Sequence, residues 1–99
     1  MPQSSAYLET ANGPKYLVQL CKHFAHKITV SYTETQGECQ FACGTASLEA
    51  DAQGLRMVVT SVDDEGLGQT QSIIESHLAR FAFRETFETL DWQRQDKAA

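Results

Sequence analysis

Ninety-nine residues suffice for one small domain and are too few for two, because natural domains cluster at roughly 100–150 residues. With 41% of residues apolar and 21% charged, the composition is that of an ordinary globular chain and not of a disordered one. Eight Lys and Arg stand against thirteen Asp and Glu, and the formal charge of -5 repels polyphosphate, which argues against general binding to nucleic acid or to an anionic membrane.

Three cysteines, Cys21, Cys39 and Cys43, are an odd number, and the opening MPQSSAYLET lacks the basic and then apolar regions of a signal peptide. No apolar stretch approaches the ~18–20 residues that span a bilayer. The expectation is a cytoplasmic protein with free thiols.

Residues 5–10 alternate, with Ala6 and Leu8 on one side and Tyr7 and Glu9 on the other, which predicts a short half-buried strand suited to a sheet edge. Asn12-Gly13-Pro14 then opens a helix over about 14–27, with Asn12 as its cap. Leu17, Leu20, Cys21 and Phe24 share its apolar face; Lys15, Gln19, Lys22 and His26 share a polar one. From Ile28 the period returns to two, with Ile28, Val30 and Tyr32 in alternation. Turn signals at Gln36-Gly37, Cys43-Gly44 and Gln53-Gly54 divide the next stretch into a meander of strands over 38–41, 45–51 and 55–62. The Met57-Val58-Val59 core of the last marks a central strand.

Asp63-Asp64-Glu65 supplies an acidic start to a second helix, whose stripe runs Leu67, Thr70, Ile74, Leu78 and Phe81. Phe83, Phe87, Leu90 and Trp92 demand burial, and a closing strand or packed extension is expected over 87–92, followed by a frayed polar tail over 93–99. The order β-α-β-β-β-β-α-β predicts an α+β two-layer sandwich: one antiparallel sheet with two helices on one face, a single domain ordered over about 5–92.

The run Tyr16-Leu17-Val18-Gln19-Leu20-Cys21-Lys22-His23-Phe24-Ala25-His26-Lys27, the later Leu48-Glu49-Ala50-Asp51 with Gly54-Leu55, and His77-Leu78 with Phe81-Ala82-Phe83-Arg84-Glu85 resemble the bacterial domain-of-unknown-function family numbered 2218. The resemblance extends over about 6–92. It implies a small bacterial protein without an established activity, of a kind encoded beside iron-siderophore uptake functions, and assigns no chemistry by itself. The chain departs from the family pattern at Cys39 and Cys43, so any role of those thiols is particular to it.

Cys21, His23 and His26 lie close in sequence and His77 lies on the second helix, a set of soft and imidazole donors of the kind that ligate a transition metal or haem iron. Cys21 and His23 diverge by about 200° on a helix, whereas His23 and His77 meet if the two helices pack side by side. The plainer reading makes Cys21 a core residue and the histidines boundary or surface residues. The C-x3-C spacing of Cys39 and Cys43 fits neither a zinc knuckle nor a redox motif.

Charge is uneven: residues 10–33 hold three lysines and no carboxylate. Lys15, Gln19, Lys22 and His26, with Arg80 and Arg84 from the second helix and its extension, are therefore candidate contacts for a small anionic ligand or an acidic protein partner, against the alternative of a solvated helix face. No nucleophile elbow, phosphate loop or zinc-hydrolase motif occurs, so no enzyme is expected. The leading expectation is a bacterial accessory domain that binds a ligand or partner, with the iron link resting on the resemblance alone. A structural or regulatory homodimer, contacting through the sheet face or aromatic tail, is the alternative; a metal or haem protein is the third.

Overall fold

Side chains that alternate along every strand can be buried on one face only if helices cover that face, and both helices of this chain do so. A computed structural model describes residues 2–81, 90 and 92–94. Its elements are β1 (Gln3–Glu9), α1 (Gly13–Phe24), β2 (Thr29–Tyr32), β3 (Gln36–Phe41), β4 (Gly44–Ala50), β5 (Gly54–Thr60), α2 (Asp64–Phe81) and β6 (Gln93–Arg94). The strands form one antiparallel sheet in the order β2-β3-β4-β5-β1-β6, the α+β architecture that the periodicities predict.

The covered face carries Ala6 and Leu8 of β1, Cys39 of β3, Ala46, Leu48 and Ala50 of β4, and Leu55, Met57 and Val59 of β5, all buried. Leu17, Leu20, Cys21 and Phe24 of α1 and Leu67, Thr70, Ile74 and Leu78 of α2 close over them. On the outer face Tyr7, Glu38, Ser47, Glu49 and Arg56 stay exposed. β5 is central, between β4 and β1, as its run of apolar residues requires.

The turns rest on side chains that hold the backbone locally. Thr33 Oγ1 accepts from the amides of Thr35 and Gln36 at 3.3 and 3.2 Å, closing the β2–β3 connection. Asp51 Oδ1 accepts from the amides of Gln53 and Gly54, both at 2.8 Å, and these bonds hold the Asp51 carboxyl below its ordinary range. Asp63 Oδ1 accepts from the amide of Gly66 at 2.7 Å, so the acidic start of α2 is a helix cap.

Several boundaries differ from the sequence expectation. α1 ends at Phe24 and not near Lys27, because the Phe24 carbonyl accepts from both Lys27 and Ile28 and the chain turns there; His26 lies in that turn. Asn12 makes no side-chain cap; its own amide donates to Thr10 Oγ1 at 3.1 Å. β1 is interior, since β6 occupies its second edge. The closing strand is Gln93–Arg94, paired with Ser5 and Ser4, in the stretch expected to fray. Those two residues join the sheet by backbone pairing at an exposed edge, without apolar side chains to announce it. Leu90 is buried, Trp92 packs against the core, and the Leu90 amide donates to the Glu75 carboxylate. Phe83, Arg84 and Phe87 lie outside the described residues.

Gly37, expected in a turn, sits inside β3 opposite Tyr32 and Leu48. A Cβ there would stand 2.6 Å from Cys21 Sγ and 3.5 Å from Leu17 Cδ2: α1 packs directly on the β3 backbone. Cys21 is fully buried, so its sulfur has no free space to retreat into. Gly37→Ala is expected to destabilise the domain by about 1–3 kcal/mol. Cys21→Ala should relieve part of that loss, so that urea unfolding of the double variant shows less than the sum of the single effects.

Candidate functional site

The C-terminal halves of α1 and α2 meet over a nest of rings. Leu20, Cys21 and Phe24 point at the sheet, which leaves His23 at the border of α1 facing α2, where His77 and Phe81 flank the apolar stripe. The His23 and His77 ring centroids are 5.0 Å apart with the planes tilted by 45°. Phe24 stands edge-on to His23 at 5.5 Å, and its centroid lies 4.9 Å from those of both His77 and Phe41. Phe81 closes the far side, 5.9 Å from His23.

His77 Nδ1 lies 2.7 Å from the Ile73 carbonyl. A carbonyl only accepts, so Nδ1 holds the proton and Nε2 remains for a ligand. The His23 pKa is lowered from its ordinary 6.5, first by burial and then by the positive charges of His77, Lys27, His26 and Arg80. The nest is thus a convergence of cations from α1, the turn after it and α2.

Of the residues singled out in sequence, His26, His77 and Arg80 act on His23, and Lys27, not singled out there, acts with them. Lys15 and Lys22 are exposed on α1. Gln19 is half-buried, with its Oε1 enclosed and unpartnered, so it does not continue their solvent-facing stripe. Arg84 lies outside the described residues. Cys21 faces the sheet and not the imidazoles. Among the described residues no group of three or more metal-ligating side chains assembles, and the imidazole pair lacks the third donor that a zinc-like centre uses.

Cys21 has another partner. The thiol of Cys39 is hydrogen-bonded to it across the α1–β3 contact, and this bond, followed by burial, pushes the Cys39 pKa up, while the Cys21 pKa is lowered as the acceptor. All three cysteines are free. Cys43, in the β3–β4 turn, contacts Thr70 Oγ1 at 3.3 Å, so the C-x3-C pair diverges. Both members of the Cys21–Cys39 pair were legible as inward-facing; their meeting depends on α1 lying over β3, which spacing does not reveal.

The outer sheet face forms a concavity of about 480 Å³ lined in part by Ser31, Gln36, Glu38, Ser47, Glu49 and Arg56. Arg56 sits between Glu49 and Tyr7 in register yet forms no ion pair with a described residue.

The His23 shift fixes a pH dependence. A folded pKa below the unfolded value means that the unfolded chain binds the proton more tightly, so stability is complete above about 6.5 and declines as the pH falls through that value toward the lower folded pKa. Urea midpoints measured from pH 7.5 to 5 should decrease, and His23→Gln should reduce that dependence.

No helix of the described residues is long and apolar enough to cross a membrane. A search of curated proteins gives no match. Among solved structures, the NMR structure of PA4090 from Pseudomonas aeruginosa is similar, with a TM-score of 0.77 and 29% identity over 96% of each chain. The model of DUF2218, described as an uncharacterized protein conserved in bacteria, matches residues 5–93. With nearly the whole fold inside that match, the chain belongs to the DUF2218 family.

Proposed function

We propose that this domain is a binding module without catalytic activity, and that its imidazole-cation nest takes the anionic group of a small ligand or of an acidic protein partner. The observation that supports this reading is that His77, Lys27, His26 and Arg80 all act on His23 as positive charges, with three lysines and no carboxylate in residues 10–33 of a chain whose total charge is -5. An anion there would offset the mutual repulsion of these groups. It would accept hydrogen bonds from Arg80 and from protonated imidazoles, contacts stronger than neutral ones. Carboxylate- or catecholate-bearing iron chelates belong to this ligand class, and the link to iron-siderophore uptake rests on the resemblance alone.

Binding of an anion favours His23 in its protonated form, so affinity rises as the pH falls below 6.5 toward the lowered His23 pKa, whereas metal binding to neutral imidazole weakens over the same range. Titration with inorganic phosphate, citrate and ferric citrate at pH 6 and pH 8 in low salt, read from the imidazole proton resonances, tests the reading. Tighter binding at pH 6 is expected, with a loss of about tenfold or more in Arg80→Gln. Equal or absent binding at both pH values would refute it, and losses confined to Lys15→Glu and Lys22→Glu would move the surface to the outer stripe of α1.

A homodimer through the outer sheet face is the second reading, favoured by the concavity around Arg56, which forms no ion pair among the described residues. Concentration-dependent sedimentation that Arg56→Glu abolishes would support it; a monomer across the concentration range would remove it.

A further inference from the structure

The two edges of the sheet are built differently. At one, β6 is two residues long and its Arg94 is paired with Asp64 at 3.0 Å. At the other, β2 reads Thr-Val-Ser-Tyr and pairs with β3 alone. It carries neither a charge nor a proline, the devices that usually keep an edge from pairing again.

The register says which backbone groups of β2 are free. The Thr33 amide donates to the Gln36 carbonyl at 2.7 Å, so Ser31 and Thr29, at alternate positions from Thr33, aim their N–H and C=O groups at β3. Val30 and Tyr32 therefore aim theirs at the open side, where no described strand receives them. Their side chains lie opposite Cys39 and Gly37, on the helix side of the sheet. Val30 is partly buried against the core, whereas Tyr32 is 39% exposed. Lys27 precedes the strand and Glu34 follows it, both exposed.

We propose that the β2 edge is a self-association surface, where a second copy of this chain adds its own β2 in antiparallel register about a two-fold axis at Ser31. Val30 of each copy then stands opposite Tyr32 of the other, and each such pair exchanges N–H···O bonds in both directions. This is the register that uses the free groups of both residues at once. On the helix side it sets an aromatic ring beside a β-branched chain, a favoured cross-strand pair, and covers Tyr32. Because the strands run in opposite directions, Lys27 of each copy comes to the end that carries Glu34 of the other, so the ends attract and the uncharged middle has nothing to repel. The strand is short, and the dimer accordingly dissociates on dilution. This contact is separate from the outer face around Arg56, and it does not need the nest to bind an anion.

Sedimentation velocity of the full chain over roughly 0.01–1 mM, with amide hydrogen exchange at both ends of that range, tests the proposal. A monomer–dimer equilibrium is expected, in which exchange at the Val30 and Tyr32 amides slows with concentration by about twofold or more, while the Thr29 and Ser31 amides, already bonded to β3, change little. Val30→Pro removes an edge-facing amide that β3 does not use, and should abolish the dimer. If that variant does not fold, charge exchange decides: Lys27→Glu and Glu34→Lys should each weaken the dimer, and mixing the two should restore it, since every contact then joins opposite charges. Arg56→Glu should leave the dimer intact. A monomer throughout the range would overturn the proposal. So would a dimer with unchanged exchange at Val30 and Tyr32, a dimer that Arg56→Glu abolishes, or a mixture of the charge variants that associates no better than either alone.

Discussion

α1 can cover the inward face of β3 only by approaching its backbone, because the middle of that strand offers the helix Gly37 and Cys39 and no large side chain. At Gly37 the approach is close enough that one extra carbon would stand 2.6 Å from a buried sulfur. Everything at the C-terminal end of α1 follows from this seating. Leu17, Leu20, Cys21 and Phe24 are committed to the sheet, so the next position around the helix, His23, is turned sideways toward α2. The depth of α1 also lets Phe24 meet Phe41 across the core, with centroids 4.9 Å apart. A larger residue on β3 would lift the helix and separate these contacts together, since close-packed interiors transmit small displacements.

The seating also sets the electrostatics. A helix that ended three residues later would carry His26 out on the stripe of Lys15 and Lys22. The Phe24 carbonyl receives two amides and the chain turns, and the charges of His26 and Lys27 act on His23. α2 then brings His77 and Arg80 to the same place. Each cation alone has a mundane explanation, a complement to a helix C-terminus or a solvated end. Their coincidence on a partly buried imidazole is less mundane, because every added positive charge there makes protonation of His23 costlier.

The elements and their inward faces were legible because period-two and helical stripes record burial directly: Leu55, Met57 and Val59, or Leu67, Ile74 and Leu78, sit where the pattern puts them. The side-by-side meeting of His23 and His77 was legible for the same reason, once both helices had to share one face. Gly37 misled because a Gln-Gly pair reads as a turn, whereas its glycine serves a helix contact and the turn is carried by the Thr33 hydroxyl. Gln93 and Arg94 misled because an edge strand needs free backbone on its neighbour and no apolar residue of its own. The Cys21–Cys39 contact and the action of Lys27 on His23 are consequences of tertiary approach, which no local spacing records.

One-sided burial divides the labour between the two layers. The outer sheet face, with Glu38, Glu49 and Arg56 among hydroxyl and amide side chains, is mixed in sign and stays hydrated. The cations of α1 and its turn are instead gathered in a stretch without carboxylates, so the acidic remainder of the chain does not neutralise them locally. A net charge of -5 then repels long polyanions at a distance.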